Sequence, residues 1–323
     1  MLLASSRIED LTIEYTQCEV SAPTGVFGEI PAEYYTFNFN TPSTVKPQWM
    51  YTVDPNESDP AEAGQCHVQF EIPQNIKPPI YYFYRLKDFY ANHRRFVKSF
   101  SEDQLNGKDA SENTIKNTIG QNCQPLSTDE NGTKIYPCGL IANSLFNDTF
   151  TPLQAVNGSG TDYLMTNKGI SWSKDKDRFK KTVYNASQIV PPPNWVKRFP
   201  QGYNDTNIPD ISEWPEFQNW MHPAGLPDFS KIILRNDGDV LQKGVYETVV
   251  GLHWPVRGFS GHKYIYISTR SVIGGRNPFL GISWVVVGGL CLVLSLAFMI
   301  VSLLKPRKVG DSSLLSWNKE KVN

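Results

Sequence analysis

The amino-acid sequence predicts a membrane-anchored, mostly β protein. Its ectodomain is expected to be an antiparallel β-sandwich-like fold with long loop insertions and short helices. Three observations support this fold class. The run Phe279–Leu304 contains 26 residues without a charge. Several earlier segments alternate apolar and polar residues, as half-buried strands do. Helical and strand patterns do not alternate along the chain, which favours an antiparallel sandwich over a parallel sheet.

The clearest strand pattern lies at residues 66–72, where Cys66, Val68, Phe70 and Ile72 share one face. Phe217 and two tryptophans spaced three apart predict a short helix at 213–221. The predicted strands, in chain order, are 8–15, 66–72, 80–86, 231–235, 245–254 and 263–269.

The segments between these elements are predicted as connections. Residues 40–64 are rich in Pro, Asn, Asp and Glu, and residues 101–135 carry many charges and amides, so both are predicted as loops. Residues 258–262 lie between two predicted strands and predict a hairpin turn. Residues 174–181 mix charges of both signs, which predicts a solvated face.

The run Phe279–Leu304 predicts a transmembrane helix, since about 20 helical residues cross a hydrocarbon core of about 30 Å. Lys305, Arg307 and Lys308 follow it, whereas only Arg276 lies close on the other side. The positive-inside rule therefore places the tail, 305–323, in the cytosol, and the ectodomain, 7–278, outside the cell or in the secretory lumen.

An ectodomain on that side needs a segment that carries it across the membrane. Residues 1–4, Met-Leu-Leu-Ala, are too short for the apolar region of a signal peptide. We therefore expect residues 1–6 to be the outer end of a missing first transmembrane helix. The complete protein would then cross the membrane twice.

The composition excludes a nucleic-acid partner. The 323 residues contain 31 Lys and Arg against 32 Asp and Glu, a net charge of −1, so no basic excess exists to bind phosphates. The hydrophobic fraction of 40% is enough for a packed core.

Four of the five cysteines lie in the predicted ectodomain, and Cys291 lies in the membrane run. Four cysteines allow three pairings. Local closure favours Cys18 with Cys66 and Cys123 with Cys138, and four reduced, buried thiols are the alternative. A disulfide that closes a loop of about 15 residues stabilises a fold by about 3 kcal/mol in the chain-entropy model.

The predicted ectodomain also contains six acceptor sequences for N-linked glycans, about twice the number that chance predicts. All six lie on the side that the positive-inside rule places outside. The acceptor residues are Asn56, Asn131, Asn147, Asn157, Asn185 and Asn204.

Motifs of catalysis or metal binding do not emerge from the sequence. The five histidines form no HExxH pattern or close pair, and Gly-Phe-Ser-Gly-His at 258–262 lacks the second glycine of GxSxG. We therefore expect no enzyme activity, cofactor or metal. Arg94 and Arg95 form a basic cluster among aromatic residues and are candidates to bind a carboxylate-rich partner or a lipid head group. An intramolecular ion pair is the alternative.

The membrane run has small residues at every seventh position, and these are followed three residues later by a second set. A seven-residue repeat keeps such positions on one side of a helix, and small residues allow close helix packing in lipid. We call this side the helix seam and expect it to pack on another transmembrane helix, the alternative being a plain anchor. The seam consists of Gly281, Trp284, Gly288, Cys291, Ser295, Phe298 and Ser302.

Several strings of residues resemble one known family. They are YPCGLIANSLFNDTF (136–150), PPPNWVKRFPQGY (191–203), NHRRF (92–96), FQNWM (217–221) and GGRNPFLG (274–281). Together they resemble the cell-division-control-protein-50 family, the accessory (β) subunits of lipid flippases. The resemblance covers residues 5–311.

The resemblance implies two membrane helices around one glycosylated, disulfide-bonded ectodomain. It also implies a non-catalytic subunit that forms a heterodimer with a type-4 P-type ATPase, which moves phospholipids from the outer or luminal leaflet to the cytosolic leaflet. The subunit would support exit from the endoplasmic reticulum, stability and the phosphorylated states of the ATPase, in the Golgi, endosomes or plasma membrane. ATP and Mg²⁺ would belong to the ATPase. The cysteine pairs match those of the family, and Asn147 and Asn185 match its recurrent glycan positions.

Two other classes of function are weighed against this one. A single-pass adhesion or carbohydrate-binding ectodomain would share the glycans, disulfides and sandwich. Its membrane helix would only anchor the protein, without packing on a specific helix, and it would have no obligate membrane partner. An ecto-hydrolase would need a cleft with a poised nucleophile, which the sequence does not assemble.

Overall fold

A computed structural model describes residues 2–57, 59, 62–156, 158, 161–270, 274–306, 310 and 315. It divides the chain into two units. One unit, Ile8–Arg270, carries the sheets, and the other combines Met1–Arg7 with Ser271–Asn323. Each unit is described by itself.

The β-strands form two main antiparallel sheets. The strands, in chain order, are β1 (Asp10–Glu14), β2 (Gly28–Glu29), β3 (Tyr35–Asn38), β4 (Gln48–Val53), β5 (Gly64–Ile72), β6 (Ile80–Lys87), β7 (Lys134–Ile135), β8 (Thr149–Phe150), β9 (Gln154–Ala155), β10 (Ile189–Val190), β11 (Phe229–Asn236), β12 (Gly244–Gly251) and β13 (His262–Thr269). One sheet has five strands in the order β11-β6-β13-β1-β3. The other has the order β2-β4-β5-β12-β8, with β9 also paired to β12. The short pair of β7 and β10 is parallel.

Most helices are single turns within the unit Ile8–Arg270, which we call the sheet unit. The helices are α1 (Leu2–Ser6), α2 (Cys18–Ser21), α3 (Arg94–Val97), α4 (Glu102–Leu105), α5 (Glu112–Asn117), α6 (Leu140–Asn143), α7 (Asp175–Arg178), α8 (Pro215–Trp220) and α9 (Phe279–Leu304). Short 3-10 turns lie at Ala32–Tyr34, Ala186–Gln188, Pro193–Trp195 and Arg257–Phe259. The predicted fold class, an antiparallel β-rich ectodomain with short helices and one hydrophobic C-terminal helix, is confirmed.

The two sheets share one hydrophobic core, as a sandwich requires. The inward faces of β1, β5 and β13 contribute Ile13, Phe70 and Ile265 to a single buried cluster. A hydrogen bond of 2.9 Å joins the hydroxyls of Tyr82 on β6 and Thr248 on β12, and so links the two sheets through their interior. Alternation along each strand places one side-chain set in this core and the other on the outer face.

A second core covers the end of β6, where the opposing sheet no longer does. Tyr84 and Leu86 pack there with Phe217 and Trp220 of α8. The ring of Tyr84 stacks on that of Phe146 at 3.9 Å between centroids. Part of the insertion between β6 and β11 therefore forms an aromatic layer against the five-stranded sheet.

The structure contains both disulfides that local closure favoured. Cys18–Cys66 joins α2 to β5 and is fully buried in the sandwich core. Cys123–Cys138 lies in a small cluster with Ile115 of the insertion. The clusters around the two bonds are separate, so each disulfide stabilises a different part of the unit.

A buried ion pair lies where the sandwich meets the insertion. The Lys263 ammonium donates to the Asp148 carboxylate at 2.6 Å, and both side chains are almost fully buried. Asp148 also accepts from the hydroxyl of Tyr15 and from the backbone N–H groups of His253 and Trp254, at 2.9, 2.8 and 2.6 Å. Burial, and then the charge of Asp148, raise the pKa of Tyr15 well above its ordinary value, so the phenol remains a donor.

Four of the sequence-based assignments of connections are wrong in whole or in part. Residues 40–64 are not all loop, because β4 lies among them and its Trp49 is 2% exposed. Residues 258–262 do not form a hairpin turn, because they connect β12 and β13, which belong to different sheets. Residues 101–135 include α4 and α5, whose first turns are capped by the side chains of Ser101 and Ser111. Residues 174–181 are a solvated face only in part, because Asp175 and Phe179 are buried while the four lysines are exposed.

We predict that Lys263→Met lowers the free energy of unfolding by about 3 to 5 kcal/mol, because it leaves the Asp148 charge buried without its partner. Denaturant unfolding of the full chain in detergent, followed by tryptophan fluorescence, measures this loss. Asp148→Asn with Lys263→Met is the control: it removes both charges, keeps the acceptor sequence at Asn147, and is expected to cost less than Lys263→Met alone. Equal losses in the single and double variants would contradict the prediction.

Candidate functional site

Many charged side chains in the sheet unit form ion pairs with one another, and the histidines are prominent among them. Four of the five histidines contact a carboxylate, and the pairs are His67–Glu247, His222–Asp175, His253–Glu62 and His262–Glu14, at 2.7, 2.9, 3.0 and 2.7 Å. Hydrogen bonding to His67 lowers the pKa of Glu247 despite its partial burial. Within the described ranges, no group of three or more His, Cys, Asp or Glu side chains is arranged to hold a metal ion.

A small cavity lies beside the buried ion pair. It has a volume of about 40 Å³ and is lined by Tyr84, Phe146, Asp148 and Glu216, among others. Ligand pockets are usually about 300 to 1,000 Å³, whereas a water molecule needs about 10 to 15 Å³. This cavity therefore has room for water and not for a substrate.

The helix α9 offers a long apolar surface to a partner or to lipid. It has the bounds predicted from the sequence, Phe279–Leu304, and contains an 18-residue stretch with a mean hydropathy of 2.6. Among the described residues it is the one helix long and apolar enough to cross a membrane. Its apolar side chains are exposed all round, so lipid or other helices must cover them. Arg307 and Lys308, on which the predicted orientation partly rests, lie outside the described residues.

The helix seam has one occupied end and one open stretch. A Cβ atom on Gly281 would lie 2.6 Å from Cγ of Leu2 in α1, so the close approach of α1 requires glycine there. The hydroxyl of Ser5 accepts from the backbone N–H of Asn277 at 2.9 Å and holds α1 in this place. A Cβ on Gly288 would meet no atom within 4 Å. The remaining seam side chains, Trp284, Cys291, Ser295, Phe298 and Ser302, are exposed.

The candidate glycan acceptors lie on the surface wherever the structure describes them. Asn56, Asn131, Asn147, Asn185 and Asn204 are all exposed. Asn157 lies outside the described residues. Asn147 directly precedes the buried Asp148, so the ion pair beneath it fixes the backbone from which Asn147 points outward.

Arg94 and Arg95 are exposed in the single turn of α3. The ring of His93 caps this turn, since its Nδ1 accepts from the backbone N–H of Arg95 at 3.3 Å. Among the described residues, no carboxylate forms an ion pair with either guanidinium.

Exposed apolar residues lie beside these arginines, and the sequence analysis did not identify them. Tyr90 and Leu226 are 63% and 69% exposed, and Val97 of α3 is also exposed. They belong to segments far apart in the chain. In the sequence, each is marked only by being an apolar residue in a polar loop. We call Tyr90, Arg94, Arg95, Val97 and Leu226 the arginine corner.

Comparison with known proteins identifies relatives along nearly the whole chain. The family model described as LEM3 (ligand-effect modulator 3) family / CDC50 family matches residues 1–308. The phospholipid-transporting ATPase accessory subunit LEM3 of Saccharomyces cerevisiae is 47% identical over 322 residues, which cover 98% of this chain and 77% of that protein. The phospholipid-transporting ATPase accessory subunit CDC50 of Chaetomium thermophilum is 41% identical and covers 96% and 79%. The ALA-interacting subunit 3 of Arabidopsis thaliana is 38% identical and covers 79% and 68%.

We predict that Gly288→Leu weakens association with another transmembrane helix, because the added side chain fills the open stretch of the seam. Gly289→Leu is the matched control, since it adds the same side chain about 100° around the helix. Recovery of co-purifying membrane proteins from detergent extracts measures the effect. Unchanged recovery for Gly288→Leu would mean that α9 is a plain anchor.

Proposed function

Since this chain belongs to the LEM3/CDC50 family, we propose that it is the non-catalytic accessory subunit of a phospholipid-transporting P-type ATPase, with which it forms a heterodimer. The observation that carries this proposal is the near-complete match to relatives that are themselves named accessory subunits of such ATPases. In this proposal the ATPase binds ATP and Mg²⁺, and this chain needs no cofactor.

The geometry of the sheet unit fits a binding role. A subunit without chemistry can change the behaviour of a pump only by binding one of its conformations more tightly than another. A sandwich with a shared core, a buried ion pair and two disulfides loses little conformational entropy on docking. Binding energy is then available to discriminate between states of the ATPase.

We place the sheet unit on the luminal or extracellular side of a secretory-pathway membrane. Disulfides persist in oxidising compartments and are rare in the cytosol. The structure has two of them, and every glycan acceptor that it describes is exposed. The proposed functions in exit from the endoplasmic reticulum, in stability and in support of the phosphorylated states follow from assembly in that pathway.

We predict that the tagged full-length protein co-purifies with a P-type ATPase in stoichiometric amount, because an obligate heterodimer persists through mild detergent extraction. Mass spectrometry of the purified sample identifies the ATPase, and vesicles reconstituted with the pair test ATP-dependent movement of labelled phospholipid. Recovery of this chain alone, folded and glycosylated, would instead favour a free-standing adhesion or carbohydrate-binding ectodomain.

We predict that Asn185 carries a glycan, because it is exposed and begins an Asn-Ala-Ser acceptor sequence. Ser187→Ala removes the acceptor and is expected to increase electrophoretic mobility by one glycan step, while enzymatic deglycosylation makes it equal to wild type. Ser187→Thr preserves the acceptor and serves as the control. Equal mobility of Ser187→Ala and wild type before deglycosylation would show that Asn185 is unoccupied.

A further inference from the structure

A buried aspartate fastens the start of α7 to the chain that follows α8. The Asp175 side chain is 5% exposed, and its two oxygens lie 2.9 and 3.1 Å from Nε2 of His222. One of these oxygens also accepts from the backbone N–H of Trp172 at 3.1 Å. The imidazole of His222 stacks on the indole of Trp172, with 5.0 Å between the ring centroids. We call Trp172, Asp175 and His222 the histidine latch, because the ring of His222 contacts both of the other residues.

Lys231 on β11 brings a positive charge close to the latch. Its ammonium donates to the backbone carbonyl of His222 at 2.5 Å. Burial lowers the pKa of Lys231 to about 8, although the charge of Asp175 acts in the opposite direction. Lys231 is therefore mostly protonated at about pH 7 and below, so its charge stays nearly constant over the range in which histidine titrates. Other charged groups around the latch are bound elsewhere or exposed: Glu216 of α8 accepts from Asn167 at 2.8 Å, and Lys174 and Lys176 are at the surface.

The ring of His222 can take up a proton without losing its hydrogen bond. Because Nε2 donates to Asp175, the neutral ring carries its proton on Nε2, and a second proton adds at Nδ1. Nδ1 makes no hydrogen bond with the described residues, and the side chain is 30% exposed, so water reaches it. Protonation adds attraction between opposite charges to the existing bond, and this attraction is strengthened by burial. Lys231 repels the added charge, but Asp175 contacts the ring directly, so the attraction outweighs the repulsion.

The far end of α7 is attached by contacts that involve no histidine. The Arg178 guanidinium binds the Glu102 carboxylate through two nitrogens, at 3.0 and 2.9 Å. The ring of Phe179 is buried, and its centroid lies 6.1 Å from that of Phe217. Because these contacts hold the end of the helix, we expect a weakened latch to release residues 172–176 without unfolding the unit.

We propose that the histidine latch is a pH-sensitive fastener, which is closed more firmly when His222 is protonated and opens more often when His222 is neutral. Both forms keep the hydrogen bond, but only the protonated form gives the buried Asp175 a counter-charge in direct contact. This response follows from the geometry of the sheet unit and does not rest on the proposed function. Its use does: a subunit on the luminal side would meet more acidic compartments after it leaves the endoplasmic reticulum, and α7 would be held more firmly there.

Hydrogen–deuterium exchange of the full-length protein in detergent, at about pH 5.5 and about pH 7, tests the latch. After correction for the intrinsic pH dependence of exchange, we expect peptides that cover residues 172–178 to be about fivefold more protected at the lower pH. His222→Gln keeps a donor for Asp175 but cannot gain a charge, so it should abolish this difference. His262→Gln alters a histidine–carboxylate pair in the five-stranded sheet and should retain it.

A fluorescence titration reports the charge of the His222 ring directly. A stacked imidazolium quenches indole emission, so the emission of Trp172, taken as the difference between wild type and Trp172→Phe, should fall as the pH is lowered. In the His222→Gln background the same difference should not depend on pH. Asp175→Asn keeps the size of the side chain but removes its charge, and should abolish the pH dependence of protection at residues 172–178.

The outcomes are decisive for the latch and independent of the proposed function. Equal protection of residues 172–178 at both pH values in wild type would overturn the latch. A difference that persists in His222→Gln, shown to be folded by its thermal unfolding, would assign the response to another group and overturn it as well. If His222→Gln does not fold, the wild-type fluorescence titration decides, and emission of Trp172 that does not change with pH overturns the latch. Failure to recover an ATPase with the protein would overturn the proposed function and leave the latch in place.

Discussion

One strand supports both cores of the sheet unit, and the rest of the unit depends on it. Ile80, Tyr82, Tyr84 and Leu86 alternate along β6 and therefore share one face. Ile80 and Tyr82 pack against the opposing sheet, and Tyr84 and Leu86 pack against the insertion. Because β6 lies between β11 and β13, a shift of its register by one residue would empty both cores at once. The insertion is thus ordered by the same alternation that orders the sandwich.

The parts of the fold that the sequence predicts are those whose pattern is local. The strands around Val68, Tyr82, Ile232, Val250 and Ile265 were predicted because alternation or a dense apolar run is visible within each segment, and α9 because its length alone identifies it. β4 was missed because Pro, Asn and Asp dominate the residues on both sides of it. α4 and α5 are not predicted because their four and six residues are mostly charges and amides, which show no apolar period. Asp175 was misassigned because its burial depends on His222, 47 residues away.

The candidate sites also fall into those that the sequence shows and those that only the fold brings together. The cysteines, the glycan acceptors, the helix seam and the two arginines are visible in the sequence because each is defined by residue type and spacing. Tyr90 and Leu226 become part of a surface only through two hydrogen bonds that bring their loops together, from Asn92 to Gly225 and from Phe89 to Pro227. No spacing rule connects residues more than a hundred positions apart. The candidate surface is therefore visible only in the fold, whereas its two arginines can be identified from the sequence.

The proposed partner would contact the helix seam in lipid and the sheet unit in water, and these two surfaces lie in different units of one chain. Binding at either site raises the effective concentration of the partner at the other, so the two contacts strengthen each other without any direct interaction. Moving an equilibrium between two pump conformations from 1:99 to 99:1 requires a difference in affinity of about 10,000-fold. A seam contact that persists in every state, with a contact of the sheet unit that forms in only some of them, would let a non-catalytic subunit remain bound while it favours particular states of the pump.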